Sequence, residues 1–515
     1  MKTQITVQFL GGVADANNPT GSCIFLEIAS GRKPTRFLID TGLVQCRFRE
    51  SLERNLELLK WIRPASIDGV ILTHSHIDHC GRIPLLVKNG FRGRIFCTKP
   101  TAKLLPIMLE DNVKIQLSEA SYRRKKMSTS TIPATASSSH TWLGNAQEKD
   151  RAWKNYNRTL NEPLYTMKHV ERSCQLIDND GYEYDNWIRL TNEVELKFYR
   201  SGHVLGGAVC VVKIKKIDGQ VKYLGFSGDL GRDNGIILHS PETVQEPIDN
   251  WFTESTYGGR THPQREEEIN RLMALIREAV AENKKIIIPS FALERTQEMI
   301  YLISKHAANG DIPKIQIFLD SPMGEKITEV FSSSWHSHDL FHGQEELTFN
   351  PFNPAQNKML EVVEGQEESS HLMEKQGPYI VIAGSGMCDA GRIRGHLRHS
   401  LFNDKTIVCL VGYMTEGSLG RKLKEHWPFI RMNGEEIPVK AKVVDFESFS
   451  AHADSPFLNE YAKRVINESH HPFKGIFIVH GEKKSALDLK SELVTNLEMS
   501  GNNIVIPKAG DMFTL

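Results

Sequence analysis

Four side chains of the kinds that bind transition metals fall within six residues, at His74, His76, Asp78 and His79 in the stretch ILTHSHIDHCGRIP. They follow directly on an apolar run, DGVILTH, that reads as a strand. A loop leaving a strand as H-x-H-x-D-H can aim its first two histidines at one cation and its Asp–His pair at a neighbouring one. Imidazole and carboxylate are the ligands a pair of zinc ions uses. An isolated histidine is more often an ordinary surface or core residue than a ligand, but four ligand-type side chains this close together are not such a case. The feature constrains the fold strongly, because a metal pair needs further ligands from distant parts of the chain delivered to the same sheet edge.

Candidates for those ligands stand in equivalent places, each at the end of a strand-like run: His203 in RSGHVLGGA, Asp229 in GFSGDLG and His480 in IVHGE. Together with the first cluster they supply a three-histidine site (His74, His76, His203), a second site (Asp78, His79, His480) and a bridging carboxylate, Asp229.

The rest of the chain limits what such a centre could serve. With 515 residues, 40% hydrophobic and 24% charged, it is long enough for two or more domains with full cores. Lys+Arg and Asp+Glu both number 63, so overall charge does not mark a nucleic-acid binder and any polyanion must be held by a local site. No apolar run approaches the roughly 18 residues of a membrane span, and the N-terminus, MKTQITVQFLGGV, lacks the pattern of a signal peptide. A cytoplasmic protein without a membrane segment is expected. The eight cysteines are scattered with no CxxC pair, as reduced core residues would be.

TQITVQFLG, CIFLEIA and TRFLIDTG read as further strands, with PLLVKNGF and TAKLLPIMLED as helices beside them. The basic residues Arg123–Lys126 precede STSTIPATASSS, Ser128 to Ser139; we read this as a mobile surface insertion rather than a basic lid over a groove. Strand-like runs resume at EVELKFYRSGH, AVCVVKIKK and VKYLGFSGDLG. An amphipathic helix is expected over Pro263–Lys285, with Ile269, Leu272, Leu275, Ile276 and Val280 on one face. Near-continuous apolar runs then follow (KKIIIPSF, KIQIFLDSPMG, PYIVIAGSGM, KTIVCLVGYMTEGS), as in a parallel sheet buried on both faces. Near Val443 the earlier pattern returns. The expected organisation is one domain, residues 1–254 and 445–515, split by a second domain at residues 255–444.

HSHIDH, with FLIDTG upstream and SGHVLGG and FSGDLG downstream in that order, resembles the metallo-β-lactamase fold. The inserted region resembles the β-CASP branch, the RNA-processing nucleases that include the cleavage-and-polyadenylation endonuclease and related bacterial ribonucleases. The resemblance covers nearly the whole chain and implies an α/β fold: an αββα sandwich with an inserted parallel-sheet β-CASP domain. The branch's added motifs would be Glu254 in FTESTYG, His452 in SFSAHAD and His480 in VHGE. DNA-processing members usually carry an apolar residue at the third, so His480 favours RNA. The chain ends shortly after His480, so an appended C-terminal domain is not expected.

By that resemblance, two Zn²⁺ ions per chain would activate a water to attack a phosphodiester of single-stranded RNA. Asp78, Glu254, His452 and Asp40 form the expected catalytic set. His452 would deliver a proton to the departing 3′ oxygen, with Glu254 setting its charge and orientation. Asp40 would orient ligands through hydrogen bonds, or in the plainer reading form the turn of its DTG. Ligands of a parallel sheet bind at the carboxyl ends of its strands, where Ser290, Ser321, Ser385, Gly386, Met387 and Thr415–Ser418 fall. Several precede helices whose N-termini attract anions, and Arg295 could add a bidentate phosphate contact. Alternatives within the scaffold are a DNA nuclease or another phosphoesterase, or a non-catalytic RNA-binding subunit; the complete ligand set weighs against the last. Internal or end-directed cutting, reading of a 5′ phosphate and the particular RNA stay open, and a homodimer is compatible with the sequence.

Overall fold

Alternating side chains on the first strands divide the chain's apolar residues between two faces. Ile5, Val7 and Phe9 of Gln4–Gly11 point one way, as do Leu26 and Ile28 of Cys23–Ala29. The computed structural model describes residues 3–14, 19–31, 33–46, 48–129, 162–338 and 340–515. In it these strands join a six-stranded sheet in the order Met512–Thr514, Gln4–Gly11, Cys23–Ala29, Thr35–Ile39, Gly69–Ile71, Arg94–Phe96. A seven-stranded sheet faces it, ordered Ile504–Val505, Gly475–Ile478, Asn250–Thr253, Val221–Phe226, Ala208–Lys215, Val194–Arg200, Ile188–Arg189.

Between the sheets lies one apolar layer to which Phe9, Phe37, Phe198, Phe226, Phe252 and Phe477 all contribute. The rings of Phe226, Phe252 and Phe477 stack in series at 4.4 and 4.8 Å; burying each ring stabilises the fold by about 1.5–3 kcal/mol. The outer faces carry helices. Phe48–Trp61, Ile83–Lys88 and Met167–Cys174 cover the first sheet around Leu38, Val70 and Leu72. Ser455–Ser469 and Lys483–Asn496 cover the second around Val209, Val211 and Trp251. The result is the αββα sandwich. It is closed by the chain's end, since Met512–Thr514 pairs antiparallel with Gln4–Gly11.

The expected parallel sheet is present. Its order is Leu360–Val362, Ile317–Asp320, Tyr379–Ala383, Lys285–Pro289, Thr406–Leu410, Lys442–Asp445, and every pairing is parallel. Its four inner strands are near-continuously apolar because both faces are covered: Ile286, Ile288 and Ile380 pack under Arg265–Ala281, Arg295–Ala308 and Pro322–Ser334, while Ile287, Val381 and Val408 pack under Ile393–Ser400 and Leu419–Lys424. The helix expected over Pro263–Lys285 is shorter, Arg265–Ala281. Asn283 turns at φ 55° and Lys285 opens the next strand. TAKLLPIMLED lies within a much longer helix, Lys99–Thr129, and Lys326 of the inserted region reaches Glu110 on it at 3.4 Å. Most of the Ser/Thr/Ala-rich stretch, 130–139, lies outside the described residues. Among the described residues no helix is long and apolar enough to cross a membrane.

At the carboxyl end of Ile317–Asp320 the buried Asp320 carboxylate accepts from Ser369 (2.6 Å) and Arg392 (2.5 Å) and pairs with His396 (2.6 Å). Burial alone would raise its pKa, but these three partners outweigh burial and hold it below the usual carboxylate value. A depressed folded-state pKa means a contribution complete above the unfolded value near 3.9 and lost as pH falls through the folded one. Asp320→Asn is expected to destabilise the protein by about 3–5 kcal/mol at neutral pH, read by chemical denaturation, with the gap from the parent closing below about pH 4.

Candidate metal centre

Strand direction explains why distant residues meet. Val194–Arg200, Val221–Phe226, Asn250–Thr253 and Gly475–Ile478 all run the same way, the first two through the antiparallel strand between them. Their following loops therefore leave the sheet at one edge and carry His203, Asp229, Glu254 and His480. Thr35–Ile39 and Gly69–Ile71, parallel neighbours in the other sheet, deliver Asp40 and the HSHIDH loop.

Close backbone approach locks these loops together. Thr41 N–H donates to His79 O (2.8 Å), Leu43 N–H to Ile77 O (2.8 Å) and Arg82 N–H to Thr41 O (2.8 Å). A Cβ on Gly42 would lie 1.5 Å from Asp78 O, so only glycine admits this contact. Gly231 has the same role in GDLG, where a Cβ would lie 2.0 Å from Gly202 O beside His203.

His74 Nε2 and His203 Nε2 lie 3.1 and 3.3 Å from His76 Nδ1, and Asp229 Oδ2 lies 3.6 and 3.5 Å from the same two Nε2 atoms. On the other side, His79 Nε2 is 3.3 Å from His480 Nε2, which is 3.3 Å from Asp78 Oδ2. Asp229 Oδ1 lies 3.2 Å from both His79 Nε2 and His480 Nδ1. The ligand atoms of His74, His76, His203 and Asp229 all fall within 4.8 Å of one another, as do those of Asp78, His79 and His480. Burial lowers the pKa of His74 and His203 well below the usual histidine value and that of His76 to about 4. These imidazoles are therefore neutral, with ring nitrogens facing each other across distances that a shared cation would bridge. The donor set fits two divalent metals of zinc type.

Asp40 stands behind this group. At φ 56° it turns its Oδ1 to Thr73 N–H (2.8 Å) and its Oδ2 to the Thr73 hydroxyl (2.8 Å) and His79 Nδ1 (2.7 Å). It forms the DTG turn and orients a histidine at once. Glu254 is buried and accepts from Leu230 N–H at 2.7 Å. Its two oxygens lie 3.1 and 3.2 Å from His452 Nδ1, leaving His452 Nε2 toward the centre, 4.0 Å from Asp229 Oδ2. Burial alone would lower His452, but the carboxylates of Glu254 first, then Asp229 and Asp78, outweigh it and the pKa rises to about 9. The Glu254 carboxylate thus favours the charged, proton-donating form of His452.

Two residues that the sequence reading passed over complete the group. His262 Nε2 donates to the His452 carbonyl oxygen at 3.0 Å, and burial pushes its pKa down to about 4. The Tyr257 ring lies 4.4 Å from His262 and 6.3 Å from His452. Both follow Glu254 in ESTYGGRTH, and that proximity was the available hint.

The expected substrate row does gather at the carboxyl edge of the parallel sheet, but much of it is internally engaged. Ser321 caps its own helix by accepting from Gly324 N–H at 3.1 Å. The Ser290 hydroxyl is buried against Phe291 O and the Thr296 hydroxyl. Arg295 is buried with its guanidinium on Glu298, so its donors turn into the protein. Ser385 and Met387 are half-buried, and Gly386 lies beneath the Phe291 ring.

Comparison with known proteins gives three family matches: a beta-lactamase superfamily domain at residues 35–140, a Beta-Casp domain at 296–423 and a Zn-dependent metallo-hydrolase RNA specificity domain at 436–507. Among curated proteins, a ribonuclease of Thermus thermophilus, TTHA0252, is 30% identical over 96% of this chain and 97% of its own length. The transcription termination factor FttA of Methanocaldococcus jannaschii is 27% identical over 94% and 68%. Cleavage and polyadenylation specificity factor 73 of Drosophila melanogaster is 27% identical over 93% and 60%.

Because Asp40 fixes the His79 ring from behind, Asp40→Ala is expected to weaken zinc binding about 10- to 100-fold, measured by competition with a chromogenic chelator. Full retention of affinity would show that His79 keeps its aim without that carboxylate.

Proposed function

This chain belongs to the β-CASP branch of the metallo-β-lactamase superfamily, a family of metal-dependent RNA-processing nucleases, and from that premise we propose a zinc-dependent ribonuclease that hydrolyses phosphodiester bonds of single-stranded RNA. The observation that carries the reading is the seven-residue cluster around buried Asp229, set beside a histidine whose Nδ1 lies 3.1 Å from the buried Glu254 carboxylate. His74, His76 and His203 would hold one ion and Asp78, His79 and His480 the other, with Asp229 between them. Zinc bound there would supply Lewis acidity, acidifying the attacking water and neutralising charge on the phosphate.

The chain's own residues do the rest. The ring of His452, anchored through Nδ1 to Glu254, presents Nε2 to the leaving 3′ oxygen and donates a proton as the phosphorus–oxygen bond breaks. One product then carries a 3′ hydroxyl and the other a 5′ phosphate. Asp40 and Thr73 keep the His79 and His74 rings aimed. Ser385, Gly386 and Met387, at the edge of the inserted sheet, are the proposed RNA contact. The buried thiols of Cys23, Cys80, Cys97, Cys210, Cys388 and Cys409 form no disulfide and support a reducing, cytoplasmic setting.

The test incubates 5′-phosphorylated and 5′-hydroxyl forms of one RNA, and the DNA equivalent, with the protein and with His76→Ala. RNA should be cut, DNA spared and the variant inactive; equal RNA degradation by both proteins would remove the mechanism, and a ladder growing from one end would settle direction. His452→Ala is expected to lower kcat about 10²- to 10⁴-fold with little change in KM, since the ring acts on the departing group. A protein holding well under two zinc equivalents would favour a non-catalytic RNA-binding subunit.

A further inference from the structure

Glu294, the residue before the helix Arg295–Ala308, stands at φ 71° and ψ −61°. That backbone conformation is rare and strained for a residue with a Cβ, and persists only where its surroundings over-determine it. The surroundings here include another part of the chain. Glu294 is buried, and its Oε2 accepts a hydrogen bond from Leu205 N–H at 2.9 Å. Leu205 lies two residues beyond His203, in the turn that carries that imidazole to the metal centre. The second oxygen, Oε1, is buried and without a hydrogen-bond partner.

Several hydrogen bonds hold the turn, among them Tyr184 hydroxyl to Gly207 O at 3.2 Å and ties from two flanking segments. At one, the hydroxyls of Thr98 and Thr101 both donate to Gly206 O, at 2.7 and 2.9 Å. At the other, the polar tie to the Leu205 amide is Glu294. The side chains of Val204 and Leu205 also pack into the same core as Leu293 and Ile300 of the inserted region. Strand and helix of the parallel sheet therefore press on the loop that bears His203, and the Glu294 carboxyl is the directional part of that contact.

We propose that Glu294 is a positioning residue, through which the inserted parallel sheet sets the aim of His203 at the metal centre. It rests on the metal-dependent reading above. It touches no candidate ligand atom itself and acts through the Leu205 amide. Burial, reinforced by the nearby Glu298 carboxylate, raises the Glu294 pKa well above the usual carboxylate range, so the neutral acid is favoured. A neutral acid accepting through its carbonyl oxygen is matched by glutamine in shape and acceptor. It is not matched by alanine or glycine.

The test compares the full-length protein with Glu294→Gln, Glu294→Ala and Glu294→Gly in cobalt(II) titrations followed by visible absorption, alongside melting temperature and RNA kinetics. Glu294→Gln should bind cobalt within about twofold of the parent. Alanine and glycine variants should bind about 10- to 100-fold more weakly, as when an orienting partner of a metal-bound histidine is removed, with kcat reduced and KM unchanged. The glycine variant relieves the backbone strain and should keep its melting temperature, which separates lost aim from lost fold. Parental cobalt affinity and spectrum in Glu294→Gly, or equal weakening in Glu294→Gln and Glu294→Ala, would overturn the proposal. A parent that binds cobalt tightly yet cuts no RNA would instead sink the ribonuclease reading, since the cobalt comparison stands without activity.

Discussion

One carboxylate organises this protein. Asp229 is 2% exposed and lies 3.2–3.6 Å from ring nitrogens of His74, His79, His203 and His480. A buried carboxylate without partners is strongly destabilising, so the loops around it have to converge. HSHIDH, RSGH, GDLG and IVHGE come from four strand ends, and none can move alone without leaving a polar group of the others unmatched. This is why the loops are laced by backbone hydrogen bonds and closed by glycines at 42 and 231, where a methyl group would meet a carbonyl oxygen. Asp40 and His480 both take left-handed backbone conformations in these loops.

Neutral overall charge does not conflict with a polyanionic substrate under this arrangement. The charge that would meet a phosphate is local: His452, held by the Glu254 carboxylate beside the ligand cluster, and metal ions that a residue count omits. Electrostatics of this kind depend on position in a low-dielectric site far more than on net charge. The inserted sheet contributes in two ways. Its carboxyl edge carries Ser385 and Met387, both half-buried, and its core continues into the His203 turn through Val204 and Leu205. The two parts of the fold are therefore coupled where chemistry would occur.

Legibility differed by residue type. Ligand-type side chains could be found because they cluster (His74 to His79) or end apolar runs (His203, Asp229, His480), and those runs fold as strands whose ends coincide. Thr73 could not, and Tyr257 and His262 had only their closeness to Glu254 to mark them, since hydroxyls, rings and single histidines have many ordinary uses and acquire meaning through what they touch. Ser290 and Arg295 illustrate the opposite error. At a strand end they look available to a ligand, yet one hydroxyl is spent inside its loop and one guanidinium on Glu298. Local pattern cannot distinguish a donor facing solvent from one already engaged. Short strands such as Arg94–Phe96 and Leu360–Val362 also carry too few residues for periodicity to mark them.

By itself the sequence determined where ligand-type side chains crowd together, the sandwich strands and the parallel character of the inserted sheet, because each is written in residue type and spacing over a short stretch: alternation for half-buried strands, continuous apolar runs for strands covered on both faces, imidazoles packed at a strand end. Tertiary structure alone decided which polar groups share a space. The Glu254–His452 contact spans 198 residues and the Glu294–Leu205 contact 89, and no local pattern encodes such a meeting. It follows from sheet order and strand direction, which place remote loops at one edge and let burial choose their partners.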